Sequence, residues 1–459
     1  MSHRFDPTTL REYDIRGVVG AMLGAADAHA VGRSFATCVR RAGGHRVVVG
    51  CDGRLSSPML EAVLVEGLAA GGVDVVRIGL GPSPMLYYAE AVLGADGGIM
   101  VTGSHNPADH NGFKLVLGHR PFWGDDIDDL ARLAAAGDWC EGTGTVTDID
   151  VRGDYAARLM RGWDVADGGG LRIGWDCGNG AAGPAVERLT ALLPGEHHLL
   201  HVEPDGRFPN HHPDPGDEAN LADLRTLVAD KGLDFGLAFD GDGDRIGAVD
   251  DQGRVLWGDR ILAILAEPLL RELPGATIIA DVKASQTVFD RIAALGGVPC
   301  IARTGHSPIK AKMVEMGAPL AGELSGHIFF AQDWYGFDDA LYAAVRLIRA
   351  VCLSGRSLAD LRDEMPALVS TPDLRIPVAE DHKLAVVAGV AARLDAAGVT
   401  ADMTDGVRVA EADGWWLLRP SNTEAAVTVR AEAVDAAALA RIMATVDAHL
   451  AACGVVRPA

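Results

Sequence analysis

Gly98-Ile99-Met100-Val101-Thr102-Gly103-Ser104-His105-Asn106-Pro107 joins a short apolar run to a polar turn that carries a serine. The apolar run is typical of a buried β-strand, and the glycine and proline after it favour a sharp turn. The pattern therefore places Ser104 at the mouth of a strand. Taken alone, the Ser-His pair would favour a helix-capping loop.

Two further polar loops of the same kind follow later in the chain. Phe235-Gly236-Leu237-Ala238-Phe239 leads into Asp240-Gly241-Asp242-Gly243-Asp244-Arg245, and another strand leads into Gly322-Glu323-Leu324-Ser325-Gly326-His327. Each loop comes after two earlier strand-like runs, which are His45–Gly50 and Val75–Ile78, Leu171–Asp176 and His198–Val202, and Ala276–Asp281 and Cys300–Arg303. Short apolar runs suit parallel strands that are covered on both faces. Three copies of one α/β plan predict that the loops meet at one site, at the carboxyl ends of the strands.

The last part of the chain follows a different plan. Its predicted strands are Leu374–Val378, Gly406–Ala410, Trp415–Arg419 and Ala426–Ala433, and its predicted helices are Lys383–Ala397 and Asp435–Ala452. This order indicates an α+β lid, joined near Leu361–Thr371 after a helix over Asp339–Leu353. Its loop Arg419-Pro420-Ser421-Asn422-Thr423-Glu424 combines a guanidinium with hydroxyl and amide donors, which suits a phosphate group.

The length of 459 residues allows three or four domains. We therefore predict an α/β fold of four domains, in which three repeated α/β units with mixed, mostly parallel sheets precede a C-terminal α+β lid domain. The expected bounds are 1–150 with the Ser104 loop, 151–253 with the Asp240 loop, 254–367 with the Glu323 loop and 368–459 with the Arg419 loop.

Charge and composition exclude several classes of partner. The 41 basic and 63 acidic residues give a net charge of −22, which argues against nucleic acid and anionic membranes. Neither a signal-type apolar core nor a membrane-length apolar stretch is found, so we expect a cytoplasmic protein. The seven cysteines are scattered without a C-x-x-C pair, and we expect them to be reduced.

The three aspartates of the second loop have the pattern of a metal site. Asp240, Asp242 and Asp244 alternate with glycine, and oxygen ligands favour Mg²⁺, Mn²⁺ or Ca²⁺ over zinc. An EF-hand would have glycine where Arg245 stands and glutamate where Asp251 stands. The alternative is a plain acidic turn, and in either case we expect the loop at an exposed strand end.

A glycine motif offers a competing interpretation. Gly178-Asn179-Gly180-Ala181-Ala182-Gly183 matches the dinucleotide-binding pattern, with Glu203 about twenty residues on. Pro184 at the helix start and the same strand-turn-helix plan on each side explain the glycines as tight turns instead. A nicotinamide oxidoreductase stays an alternative that a titration with NAD would decide.

Several cations and histidines stand near the motifs. Arg16 and Lys114 are unusual in so acidic a chain, although a lone cation is commonly a solvated surface group. Lys114 is close enough in sequence to turn back to Ser104, and a second cation nearby would lower its pKa toward acid or base use. His306 and His327 lie in polar loops, which favours a functional role for both.

Taken together, the four motifs resemble the α-D-phosphohexomutase superfamily, and most closely its phosphomannomutase/phosphoglucomutase branch. The resemblance runs from Tyr13-Asp14-Ile15-Arg16-Gly17 to Ser421-Asn422-Thr423. It implies a phosphoserine at Ser104, sugar contacts from Glu323 and Ser325, and Mg²⁺ held by Ser104, Asp240, Asp242 and Asp244. It further implies catalytic roles for Arg16, Lys114, Arg245, His306 and His327, and substrate binding by Tyr13, Lys283, Arg419, Ser421, Asn422, Thr423 and Arg430.

The activity implied is interconversion of hexose 1-phosphate and hexose 6-phosphate, with mannose or glucose as the sugar, through a phosphoserine enzyme and a hexose 1,6-bisphosphate. The partners implied are small sugar phosphates, with the chain as monomer or homodimer. Gly103, Leu324 and Ala425 depart from residues common in the family, and Leu324 leaves the ranking of substrates open. Phosphoglucosamine or phospho-N-acetylglucosamine mutase activity is an alternative, as is a non-catalytic sugar-phosphate sensor.

Overall fold

The computed structural model describes residues 2–165, 170–421 and 425–457, and its strands form four sheets within these ranges. The first sheet has the order β1-β5-β4-β2-β3-β7, with β6 paired to β5. Its strands are β1 (Ile15–Val18), β2 (Arg46–Cys51), β3 (Asp74–Leu80), β4 (Gly97–Val101), β5 (His110–Leu117), β6 (Arg120–Pro121) and β7 (Val146–Asp148). The helices of this domain are α1 (Ala25–Arg41), α2 (Ser57–Ala70), α3 (Ser83–Val92) and α4 (Asp125–Ala136).

The second and third sheets are smaller. The second comprises β8 (Arg172–Asp176), β9 (Glu196–Leu200), β10 (Phe235–Phe239), β11 (Ile246–Asp250) and β12 (Val255–Leu256), with helices α5 (Arg152–Leu159), α6 (Gly183–Thr190) and α7 (Ala222–Lys231). The third comprises β13 (Thr277–Asp281), β14 (Val298–Ala302), β15 (Leu320–Gly322) and β16 (Ile328–Phe330), with helices α8 (Gly258–Glu272), α9 (Gln286–Ala294), α10 (His306–Met316), α11 (Ala340–Ser354) and α12 (Leu358–Asp363).

The fourth sheet is antiparallel throughout. It contains β17 (Val369–Ser370), β18 (Leu374–Pro377), β19 (Val407–Glu411), β20 (Gly414–Pro420) and β21 (Ala426–Ala433), with helices α13 (Lys383–Ala396) and α14 (Ala436–Ala452). The predicted fold class of three α/β units and a C-terminal α+β domain is confirmed. The exact domain bounds stay predictions.

The first three sheets repeat one topology. In each, a central strand (β2, β8 or β13) has a parallel neighbour on both sides, and the later of these (β4, β10 or β15) turns back into an antiparallel strand (β5, β11 or β16). The hairpin turns are the loops of Ser104, Asp240–Arg245 and Glu323–His327. Equivalent positions in three sheets therefore carry the three polar loops, as the repeat predicted.

The hydrophobic cores are distributed unevenly over the four domains. One continuous core cluster runs through the first three domains, from Met100 through Trp175 to Tyr342. The fourth domain has a core of its own, built around Trp416 and Val429. It follows that the first three domains form one packed body, against which the fourth is a separate unit.

The junction to the fourth domain, predicted near Leu361–Thr371, contains regular structure at both ends. Helix α12 occupies its beginning, because Ser357 and Asp360 form a capping box at the start of that helix. Strand β17 occupies its end. None of the helices in the described part of the chain has both the length and the apolar character of a membrane span.

Candidate active site

Ser104 sits in a strained and buried turn. Its backbone has a φ of 48°, in the left-handed region, and only 2% of the residue is exposed. Its Oγ donates a hydrogen bond to Oδ2 of Asp240 at 3.0 Å and lies 3.1 Å from Nδ1 of His105. Strain in a residue without glycine's freedom is typical of positions that the surroundings hold for function. The loops of the first two domains therefore meet at the serine hydroxyl.

Arg54 holds the carbonyl groups of this turn, and sequence analysis did not single it out. Its Nη1 donates to the carbonyl oxygens of Pro107 at 2.5 Å and His110 at 3.0 Å, and its Nη2 donates to those of Ser104 and Asn106, both at 2.6 Å. The guanidinium is 1% exposed. An arginine between a strand and a helix is usually a solvated surface group. Nothing in the sequence around Arg54 therefore indicates its buried role.

Asp52 also stabilises the serine turn through hydrogen bonds. Its carboxylate accepts from Nε of Arg54 at 3.2 Å, from the hydroxyl of Thr102 at 2.9 Å and from the backbone N–H of Gly103 at 3.0 Å. A Cβ built on Gly103 would lie 2.5 Å from Cζ of Arg54. The lack of a side chain at Gly103 thus lets the guanidinium approach the backbone.

The carboxylates of Asp240, Asp242 and Asp244 form a buried group that fits a cation. All three residues are fully buried, and one oxygen from each lies within 4.8 Å of the others. Among the described residues, Oδ1 of Asp242 and Oδ1 of Asp244 have no hydrogen-bond partner. Burial and the other two carboxylates raise the pKa of Asp240 well above its ordinary value, a repulsion that a bound cation relieves.

This burial corrects the expectation that the aspartate loop is an exposed strand end. The loop is covered because the serine turn and the loop after β8 pack onto it. Cβ atoms built on Gly241 and Gly180 would meet, respectively, the backbone of Ser104 and the carbonyl oxygen of Gly241 at 2.8 Å. The glycines of the dinucleotide-like motif are therefore needed for packing at a tight turn.

Lys114 lies beside the aspartates rather than beside another cation. It sits on β5, and its Nζ donates to Oδ2 of Asp242 at 2.7 Å and to Asp244. Burial disfavours the charged amine, but the two carboxylates outweigh it and raise the pKa of Lys114 well above its ordinary value. The expectation of a lowered pKa is thus wrong, because the neighbouring charges are negative.

The third loop places a histidine and a glutamate at the same centre. Nδ1 of His327 lies 2.9 Å from Oε2 of Glu323 and 3.0 Å from Oγ of Ser325, and its Nε2 lies 3.4 Å from Oδ1 of Asp244. Burial works against the charged ring, yet Asp244 and Glu323 raise the pKa of His327 to about 9. Oε1 of Glu323 accepts from the N–H of Gly305 at 2.6 Å.

His306 has the opposite protonation. Its ring centroid is 5.7 Å from that of His327. Burial, together with the nearby ammonium groups of Lys310 and Lys114, lowers the pKa of His306 well below its ordinary value. The site therefore pairs a neutral imidazole with a protonated one.

The N-terminal motif attaches to both the first and third loops. The hydroxyl of Tyr13 donates to the carbonyl oxygen of Thr304 at 2.9 Å. Nη1 of Arg16 donates to Oδ1 of Asn106, two residues past Ser104, at 2.6 Å. Nε of Arg245 lies 3.4 Å from Nε2 of His327, so this arginine stands between the second and third loops.

The fourth domain reaches the site through Arg419. Its Nε donates to Oδ2 of Asp405 at 2.9 Å, and the same oxygen accepts from the N–H of Thr304 at 3.1 Å. Nη2 of Arg419 is buried without a hydrogen-bond partner among the described residues. Ser421 is also buried. Asn422 and Thr423, both predicted to bind phosphate, lie outside the described residues.

Two of the predicted substrate-binding residues bond to carboxylates outside the three loops. Nζ of Lys283 donates to Asp373 at 3.5 Å, although its charge also acts on Glu323, and Nη2 of Arg430 donates to Glu432 at 3.2 Å. Direct contacts or one intermediate residue join the Ser104, aspartate and Glu323 loops to Tyr13, Arg16, Lys114, Arg245 and His306, whereas Arg419 is linked through both Asp405 and Thr304. The assembly combines a buried serine hydroxyl, a carboxylate group that could hold a cation, an imidazole with a lowered pKa and several fixed positive charges, a combination suited to phosphoryl transfer.

Comparisons with known proteins agree with this geometry. Four models match the chain: phosphoglucomutase/phosphomannomutase alpha/beta/alpha domains I (residues 7–138), II (154–253) and III (257–368), and the C-terminal domain (374–449). A phosphomannomutase/phosphoglucomutase of Pseudomonas putida is 42% identical over 94% of this chain and 93% of its own. A phosphoglucomutase of Neisseria gonorrhoeae is 39% identical over 94% of each chain.

A solved structure is also similar to this chain. It is a phosphoglucomutase/phosphomannomutase family protein from Burkholderia thailandensis, which superposes with a TM-score of 0.93 at 40% identity. The superposition covers 99% of this chain and all of the other.

Proposed function

The chain belongs to the phosphoglucomutase/phosphomannomutase family and is a phosphohexomutase, and from this premise we propose how its residues act. It interconverts hexose 1-phosphate and hexose 6-phosphate, with mannose and glucose as the sugars. The phosphoryl group passes through Ser104 and a hexose 1,6-bisphosphate. The observation that carries this proposal is the hydroxyl of Ser104, held in a strained turn 3.0 Å from the aspartate group.

The phosphoryl group moves in two transfers. In the first, the bond between phosphorus and Oγ of Ser104 breaks while a bond from phosphorus to O6 of a hexose 1-phosphate forms. The O6 proton passes to a neutral base, a role that we assign to His306 because burial keeps it uncharged. In the second, after the bisphosphate has turned around, the bond between phosphorus and O1 breaks while a bond from phosphorus to Oγ of Ser104 forms, and the base returns its proton to O1.

The positively charged side chains stabilise the negative charge of the phosphoryl group during transfer. Lys114 and Arg245 lie against the aspartates and His327, where they offset the negative charge that spreads over the moving phosphoryl oxygens. Arg16 is fixed to Asn106 in the serine turn and can orient the same group. Nη2 of Arg419, which has no hydrogen-bond partner among the described residues, is the donor that we assign to the phosphate that is not reacting.

Mg²⁺ is the cation that we assign to Asp240, Asp242, Asp244 and the Ser104 oxygen. The donor set of oxygen atoms alone supports this choice over zinc. When bound, the ion polarises the phosphoryl group and neutralises its charge.

Glu323 and Ser325 explain tolerance of two sugars. Mannose and glucose differ only at C2, and a grip on the 3- and 4-hydroxyls by these two side chains would not distinguish them. Sugar phosphates are accordingly the proposed partners, and we further propose a cytoplasmic monomer or homodimer. The cysteines are scattered along the chain without a C-x-x-C pair, which supports a reducing compartment.

The deciding experiment is Ser104→Ala. We expect the variant to bind hexose phosphate but to lose interconversion by several orders of magnitude, because it lacks the group that accepts the phosphoryl. Intact-protein mass spectrometry should find a phosphate adduct on the wild-type Ser104 peptide that excess hexose monophosphate removes. Ser354→Ala, at the end of α11, is the matched control. Near wild-type turnover of Ser104→Ala, or an adduct elsewhere, would overturn the mechanism.

A further inference from the structure

A second group of metal-ligating side chains lies in the second domain, outside the residues described above. Asp176 ends β8 and is fully buried, and His201 follows the end of the parallel neighbour β9, so both lie at one sheet edge. His211 comes from the loop after them. One carboxylate oxygen of Asp176 and one ring nitrogen from each histidine lie within 4.8 Å of one another.

The hydrogen bonds of His211 point to a cation. Its Nδ1 lies 3.0 Å from the carbonyl oxygen of His212, and since a carbonyl only accepts, Nδ1 carries a proton. Its Nε2 lies 3.0 Å from Oδ2 of Asp176. A neutral imidazole would then turn its lone pair toward a carboxylate oxygen. This contact needs a positive charge between the two atoms, either a proton or a metal ion.

His201 is held in a conformation that brings its ring into the same group. Its backbone has a φ of 48°, which costs energy in a residue other than glycine. Its Nε2 lies 2.9 Å from Oδ2 of Asp223, and its ring centroid is 5.3 Å from that of His211. A carboxylate behind a histidine is the usual way in which proteins orient metal-binding imidazoles.

We propose that Asp176, His201 and His211 form a second metal site, for Zn²⁺, with Asp223 as the residue that orients His201. Two imidazoles and one carboxylate are ligands that zinc prefers, whereas Mg²⁺ and Ca²⁺ prefer oxygen atoms alone. The side chains of the two histidines are about one-sixth exposed, so an ion can enter from solvent.

The position of the site assigns it a structural role. His211 belongs to the segment that contains Pro213, whose carbonyl oxygen accepts from the N–H of Gly241 at 3.1 Å in the catalytic aspartate loop. A metal ion bound to His211 would tie this segment to the ends of β8 and β9. It would therefore brace the aspartate loop from outside without touching substrate.

The test uses the full chain, freed of metal with a chelator and then titrated with Zn²⁺ or Co²⁺ in the presence of excess Mg²⁺, which occupies the oxygen-only aspartate group. The readouts are zinc affinity by competition with a chromophoric chelator, and the visible absorption of bound Co²⁺. The variants are His201→Gln and His211→Gln. His198→Gln, on β9 but outside the group, is the matched control.

We expect one zinc equivalent in the wild type and in His198→Gln, and a loss of affinity of about tenfold or more in each of the other variants. The cobalt absorption should fall in parallel. If His211→Gln fails to fold by circular dichroism, His201→Gln decides, because it leaves the Asp176–His211 pair in place. Zinc binding that neither variant weakens, or no binding besides the aspartate group, overturns the proposal.

Discussion

At the scale of single residues, the serine turn depends on Arg54 and Gly103. Neither hydrogen-bonds to the carboxylates of Asp240, Asp242 and Asp244 in the described part of the chain. Arg54 uses all five of its N–H donors, four on carbonyl oxygens of the turn and one on Asp52. Gly103 supplies the space that the guanidinium needs. The positive φ of Ser104 is thus stabilised by a buried charge rather than by the local sequence alone.

Arg54→Lys tests this positioning role. One ammonium group cannot reach four carbonyl oxygens, so we expect kcat to fall by about 10²-fold through misplacement of the hydroxyl, with a smaller change in KM. The exposed Arg207, which pairs with Asp205, provides the control Arg207→Lys. Steady-state kinetics measure both. A variant that loses stability yet keeps kcat would show that Arg54 supports the fold alone.

Asp242→Asn tests the aspartate group. The carboxylate accepts from Ser83 at 2.5 Å and from Lys114, and we expect metal affinity and turnover to fall, turnover by about 10²-fold or more. The fold should persist because Lys114 keeps Asp244. Asp251→Asn, exposed beyond β11, is the control. Wild-type turnover after chelation and return of Mg²⁺ would contradict the assignment.

At the scale of elements, the sequence predicted the parallel strands well and their antiparallel partners not at all. Continuous apolar runs identified β2, β8 and β13, since a strand covered on both faces must be apolar along its whole length. Strand β5 escaped notice because it carries Lys114 in a buried position, and β16 because it has only three residues. The pairing of Lys114 with carboxylates of a distant loop, which allows its burial, is not visible in the local sequence pattern.

The site shows the same division. The Ser104, aspartate and Glu323 loops were predicted from the chemistry of their own residues. Asp52, Arg54 and Asp405 were missed, because each acts by holding a group from another element. The pKa of Lys114 was predicted in the wrong direction, since its neighbours come from the second domain.

The start of α11 gives an element with its own pH dependence. Asp339 caps the helix by accepting from the N–H of Tyr342 at 2.9 Å, and it accepts from the hydroxyl of Tyr155 on α5. Burial raises the pKa of Asp339 to about 7 against these hydrogen bonds. Between about pH 4 and 7 the native state therefore holds a proton that the unfolded state has lost, and stability falls as the pH rises.

Asp339→Asn should remove this dependence. The amide stays neutral and its oxygen can still accept from Tyr342, so wild type should lose up to about 4 kcal/mol relative to the variant from pH 4 to 7. Thermal melts of both proteins across this range measure the difference. Curves that run parallel would show that Asp339 does not titrate in this window.

At the scale of the whole molecule, the fourth domain is attached more loosely than the others. It has its own core, one chain crossing between α12 and β17, and a small apolar contact of Trp415 and Leu417 with Val282. Polar links are also present: Asp405 joins Arg419 to Thr304, Asp373 accepts from Lys283, and Arg408 donates to the carbonyl oxygen of Ala284. A unit of this kind can move as a body over the three packed domains.

We expect this domain to close when substrate binds. A bisphosphate whose second phosphate contacts Arg419 would draw the domain toward the other three and exclude water, as lids do in phosphoryl transfer. Small-angle scattering with and without glucose 1,6-bisphosphate should show a smaller radius of gyration on saturation, with inorganic phosphate as control. An unchanged radius would count against closure.

Because the residues of the site are spread over four sheets, the enzyme becomes active only late in its synthesis. Domains emerge from the ribosome in order and fold largely as units, so the Ser104 turn is complete long before Arg419 exists. No sugar phosphate can be bound until the aspartates, and then Glu323 and His327, have also been synthesised. A nascent or truncated chain is therefore inert, and activity in a cell extract counts only molecules whose translation has run through all four domains.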